Sequence, residues 1–229
     1  MHELILANKE IFKIAYALVI GFVCAFIVFR TDRLFHLSFH NGIRYFRNAF
    51  FFYGIAFFVR YILGAPILID FVGGKYSSLV NFVFEFFLVM AGFFLLYSLL
   101  WKRIEKENED HYTSLLNRRI FLFYVMSAII AVLDFLWATY SVMFVSQVAL
   151  FFFASLISYN NYIKKGGKRR FLKFYFLAMV LSFLAWLGNT FAALYFNWDK
   201  NIIVGVYLSN IIIFLLFLYG VVKITRRSG

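Results

Sequence analysis

The chain has 229 residues, of which 64% are hydrophobic and 23% aromatic, and its mean hydropathy is +0.82. Soluble domains carry roughly 45 to 50% apolar residues, so this composition excludes a water-soluble globular domain or a disordered chain and specifies an integral membrane protein. The formal net charge of +12 is distributed between apolar runs instead of gathered on one polar surface, so a nucleic-acid partner is not expected.

Seven apolar runs are long enough to cross a hydrocarbon core about 30 Å thick, which predicts an all-α bundle of seven transmembrane helices. They lie at about 11–29, 45–63, 77–100, 120–138, 142–162, 171–195 and 202–223. Together they form one transmembrane domain over 1–229, because the longest polar stretch, KRIEKENEDHYTSLLNRR, is too short for a further domain. The first span begins too late, and lacks the small-residue flank, for a removable signal peptide. It carries Cys24, the only cysteine, so intramolecular disulfides and cysteine metal clusters are excluded.

The second span ends near Arg60, the third holds Glu85 within SSLVNFVFEFFLVMAGFFLLYSLLW, and the fourth holds Asp134. The fifth contributes Gln147, the sixth Trp186 and Asn189, and the seventh Asn210. The 34 phenylalanines read as lipid-facing and packing residues, not as a cofactor cage. His36 and His40, with Asp110 and His111, lie between spans and read as solvated loop residues, so no metal site is expected.

Eighteen of the 23 Lys and Arg residues follow odd-numbered spans, including the run YIKKGGKRRFLK. The positive-inside rule then places the N-terminus outside and the C-terminus in the cytoplasm of a multi-pass cell-membrane protein. Basic cytoplasmic loops suit membrane lipids or an acidic signalling partner.

At a rise of about 1.5 Å per residue, Glu85 and Asn210 fall about 12 Å below the outer ends of their helices. Arg60, Asp134, Gln147 and Asn189 fall roughly 5 to 11 Å below the same surface, so the polar groups share the outer half. Small and polar residues also recur on single helical faces: Ser78, Asn81, Glu85 and Gly92; Ser127, Ala131, Asp134 and Ala138; Ala178, Ser182, Ala185 and Asn189. A carboxylate facing lipid costs at least about 2.5 kcal/mol, so Glu85 is expected to face the bundle and form a buried ion pair with Arg60, for which Asp134 competes. The convergence predicts a small-molecule site of Glu85, Asp134, Gln147, Asn189, Asn210 and Trp186, walled further by Trp137 and Tyr207.

At an offset of 125 to 126 residues, spans 2 and 3 overlay spans 6 and 7: Arg44 falls on Arg170, Arg47 on Lys173, Arg60 on Trp186, Lys75 on Lys200 and Glu85 on Asn210. Three helices, a linking helix and three more resemble, in architecture, the seven-helix class that includes microbial rhodopsins and SWEET-type transporters. The seventh span lacks the lysine that a retinal Schiff base would need, and Pro66 is the only proline, where SWEET-type helices carry several. The spans contain no histidine, and the chain has no HExxH, GxSxG or glycine-rich phosphate loop, so neither enzymatic activity nor a cofactor is expected. The functional expectation is a receptor or sensor with a polar small-molecule pocket in the outer half. A small-solute or proton-coupled transporter built from parallel three-helix repeats, or a structural assembly protein, are the alternatives.

Overall fold

The computed structural model describes residues 9–38, 41–65, 74–104, 118–137, 139–164, 170–195 and 200–225. All described secondary structure is helical: α1 Lys9–Ser38, α2 Asn41–Phe58, α3 Gly74–Ile104, α4 Arg118–Trp137, α5 Ser141–Lys164, α6 Arg170–Tyr195 and α7 Lys200–Thr225. Each contains a segment long and apolar enough to cross a membrane. The helices overrun the apolar spans by up to nine residues, as at the C-terminus of α1, because i→i−4 hydrogen bonding continues through polar residues that can remain at an interface.

Helix α2 does not end as an α-helix. A π turn, Val59–Leu63, extends it and closes with Gly64 N–H donating to the Val59 carbonyl at 2.9 Å. Glycine is needed there for space: a Cβ on Gly64 would lie 2.3 Å from the carbonyl oxygen of Arg60. The turn widens the helix where Arg60 leaves it, and such π-bulges are frequent at functional sites.

Six helices form a ring in which α1 packs on α2, α2 on α3, α3 on α5, α5 on α6, α6 on α7, and α7 back on α1. Helix α4 lies outside, against α3 and α5. The sequence of contacts maps onto itself when α1, α2 and α3 are exchanged with α5, α6 and α7. Helices α2 and α3 form the broadest interface. Close approach of α3 to α5 rests on Gly92, where a Cβ would stand 3.0 Å from Leu150 Cδ1 and 3.1 Å from Gln147 Oε1.

The ring has two ends with different contents. Toward the end carrying Asp32, aromatic side chains fill the interior: Phe50 packs edge-on against Phe214 and Phe217, and Phe46 lies tilted against Tyr175 and Phe217. Arg47 bridges to Asp32 there, and His36 sits 3.6 Å from the same carboxylate. Toward the end carrying Lys13 the ring opens into a cavity. The outer surface carries large exposed apolar residues on every helix, among them Phe22, Phe29, Phe58, Leu136, Val145 and Leu194. Such a surface is costly in water and is what lipid chains accept, so the seven apolar helices suggest a multi-pass membrane protein.

Candidate ligand cavity

The cavity has a volume of about 470 Å³ and is lined by residues of α1, α2, α3, α5, α6 and α7, the π turn and Tyr140 before α5. Along α3 its lining runs from Ser77 to Leu95, roughly 27 Å of helix. The mouth is polar, with Lys13, Ser77, Asn81 and Arg60. The middle presents the Asn189 and Asn210 amides beside Trp186 and Tyr207, and the floor is mainly apolar at Ile213, Phe214 and Phe217, with Ser182 and the Tyr53 hydroxyl among them.

Arg60 is the most constrained of these groups. Its Nη1 donates to Asn81 Oδ1 on α3 and, at 3.4 Å, to the Tyr140 hydroxyl. Its guanidinium lies 5.1 Å from the ring centre of Phe84 and 5.5 Å from that of Tyr140. Stacking over aromatic faces holds a weakly hydrated guanidinium without a carboxylate. Among the described residues Arg60 has no ion pair, so the direct Arg60–Glu85 pair expected from their similar depth is replaced by these neutral partners. The π turn carries Arg60 to the level of Asn81, one helical turn nearer the mouth than Glu85.

Of the six ligand-site residues expected from sequence, Trp186, Asn189 and Asn210 line the cavity, as does Tyr207. Asn210 Nδ2 donates to the Tyr16 hydroxyl at 3.1 Å, and Tyr16 stacks on Tyr207 with ring centres 4.4 Å apart. Asn189, only 8% exposed, lines the cavity and makes no hydrogen bond to a described residue. Trp186 packs between Phe144 and Phe151 of α5.

Glu85, Asp134 and Gln147 are buried off the cavity, at 3%, 1% and 0% exposure. Gln147 Nε2 donates to the Leu88 carbonyl at 3.3 Å, tying α5 to α3, while its Oε1 has no hydrogen-bond partner. Glu85 lies within electrostatic reach of both Asp134 and Arg60, and its Oε2 accepts no hydrogen bond. Asp134 is a helix cap. Helix α5 begins after Tyr140, whose side chain has no carboxylate or amide to bind the first free N–H groups. Asp134, six residues earlier, supplies them instead: Oδ1 accepts from Val142 N–H at 2.9 Å and Oδ2 from Met143 N–H at 2.7 Å. The cap joins the end of α4 to the start of α5 and places Tyr140 against Arg60. Trp137, expected as a wall, is 62% exposed on the outside of α4.

The small-residue faces on α4 and α6 are buried at Ser127, Ala131, Ala178 and Ser182, whereas Ala138 lies outside the described residues. The face expected on α3 divides, since Ser78 is exposed, Asn81 meets Arg60, and Gly92 packs on α5. Buried polar groups are not confined to the Lys13 half: Asn48, Ser155 and Ser158 are buried deeper in α2 and α5 and leave side-chain atoms unpaired. His40, Asp110 and His111 lie outside the described residues, as do the side chains of Lys75, Arg170 and Lys200.

The sequence reading missed Tyr140 and Tyr16 as cavity partners. Tyr140 sits in a short connection whose placement follows from the Asp134 cap, and Tyr16 is one of 15 tyrosines with nothing local to mark it. No known protein family, curated protein or solved structure matches the chain. No match therefore supports the likeness to rhodopsins and SWEET-type transporters.

Proposed function

We propose that this protein is a multi-pass membrane receptor or sensor, with its N-terminus outside, that takes a small molecule into the cavity at the Lys13 end. The observation that carries the reading is Asn189, without a hydrogen bond to a described residue, beside Asn210 and Trp186 in a cavity of about 470 Å³. Ligand pockets usually combine an apolar wall with a few placed polar groups in a volume of about 300 to 1,000 Å³. In this orientation the basic residues that follow odd-numbered helices would face an acidic cytoplasmic partner or lipid headgroups. No catalytic or cofactor chemistry is part of the proposal.

A transporter is the second reading, favoured by the exchange symmetry of the ring and by Arg60 and Trp186, which overlay in sequence and both line the cavity. A screen for compounds that raise the melting temperature in lipid nanodiscs tests both readings. A ligand at a hundredfold excess over its dissociation constant contributes about 2.7 kcal/mol, and Asn189→Ala with Asn210→Ala should remove that shift. Movement of the same compound into proteoliposomes would favour the transporter. A ligand whose shift survives the double substitution would place binding elsewhere and leave a structural role for the cavity polar groups.

A further inference from the structure

The charges that the described residues bring to the cavity wall have one sign. Among the described residues, Lys13 and Arg60 are the charged side chains that line it, and no described lining residue is acidic. Glu85, whose charge reaches Arg60, is buried off the cavity. Both hydrogen bonds that Arg60 makes to the protein come from Nη1, which leaves Nη2 and Nε without an acceptor among the described residues. A guanidinium has five N–H donors in a planar fork, and two of them side by side match a carboxylate. Past the Asn189 and Asn210 amides the wall is mainly apolar through Ile213, Phe214 and Phe217, interrupted by the Ser182 hydroxyl, which donates to the Ala178 carbonyl, and by the Tyr53 hydroxyl beside Phe214.

From this polarity gradient, and resting on the reading of the cavity as a ligand site, we propose that its ligand is an amphipathic anion with a single apolar chain. The carboxylate or phosphate lies on the free edge of Arg60. The chain extends past Trp186 toward Phe214 and Phe217. A volume of about 470 Å³ favours one chain over the two of a phospholipid, so a free monoanion entering from solvent is the expected source. Charge and shape act together: the guanidinium selects the head, and the aromatic floor accepts the tail.

The test uses the full chain in phosphatidylcholine vesicles with Cys24→Ala and Ser182→Cys, which puts one thiol on the cavity wall. N-ethylmaleimide labelling is followed with octanoate, octanol or octylammonium present. Octanoate should protect the thiol at concentrations at least tenfold lower than octanol or octylammonium, and Arg60→Gln should erase that advantage while leaving octanol unchanged. The comparison of head groups is made on the parent, so a misfolded Arg60→Gln protein does not decide it, and Ala185→Cys provides a second cavity thiol. Equal protection by octanoate and octanol would overturn the anion proposal while leaving a ligand cavity intact. Labelling that none of the three compounds slows would also overturn it. Protection without added amphiphile on exchanging phosphatidylcholine for phosphatidylglycerol would identify a bilayer headgroup as the anion and overturn the free-monoanion source. A thiol that does not react in folded protein would remove the accessible cavity, and both readings with it.

Discussion

Asp134 separates a structural from a ligand-binding role for buried acids in this bundle. Replacing it with alanine leaves the N–H groups of Val142 and Met143 without their acceptor at a site where the carboxylate is 1% exposed. Each buried, unsatisfied N–H costs about 1 to 3 kcal/mol, which gives roughly 2 to 6 kcal/mol for two. Loss of an N-cap costs about 0.5 to 2 kcal/mol where water reaches the helix end. An expected loss of about 2 to 4 kcal/mol lies between these limits. Asp134→Asn should cost less, about 1 to 2 kcal/mol, because an amide oxygen serves one N–H while its NH₂ opposes the other. Cys24, at 1% exposure, gives the assay, since maleimide traps it as the bundle opens on heating. If Asp134→Ala traps Cys24 at the parental temperature, the cap is not holding α5 and the assignment fails. If Asp134→Ala instead remains stable but loses ligand, Asp134 belongs to the binding site after all.

Gly64→Ala should cost about 2 to 4 kcal/mol and displace Arg60, because its Cβ meets a backbone oxygen at 2.3 Å and the π hydrogen bond is lost with it; a melting curve unchanged from the parent would contradict this. Gly92→Ala should cost about 1 to 3 kcal/mol by pushing Leu150 and Gln147 apart, read as the same shift in Cys24 trapping. Asp32→Asn, at a half-exposed pair with Arg47, should cost less than about 1 kcal/mol, and a larger loss would mean that the Asp32 end is more tightly locked than its exposure implies. In sealed vesicles of one orientation, single thiols at Ser141 and Lys164 should label from opposite sides, with Ser141 outside; labelling from the same side would break the proposed topology.

The helices were legible in the sequence because a transmembrane segment is announced by continuous apolarity, and only their ends moved. The polar residues were legible as buried, but not in their pairings. Depth along a helix fixes one coordinate of a side chain, and the rotation of each helix fixes which neighbour it faces. Thus Asn189 and Asn210 both line the cavity, while Gln147 at similar depth faces the α3–α5 contact around Gly92 and Glu85 is buried off the cavity. The cap at Asp134 was not legible for a different reason: its partners are backbone N–H groups, which carry no side-chain signature. The π turn was also invisible, because VRYILG reads as an ordinary helix end until Gly64 is seen against the Arg60 carbonyl.

The cavity opens at the Lys13 end, and one labelling rate decides whether reagent enters it there. With Cys24→Ala, a thiol introduced at Ala185 is exposed to a small membrane-impermeant reagent applied to either face of sealed vesicles. Reaction from the face that labels Ser141→Cys, and not from the face that labels Lys164→Cys, is the predicted result. A thiol at Ala185 that stays unmodified from both faces, or reacts only from the Lys164 face, would contradict the account.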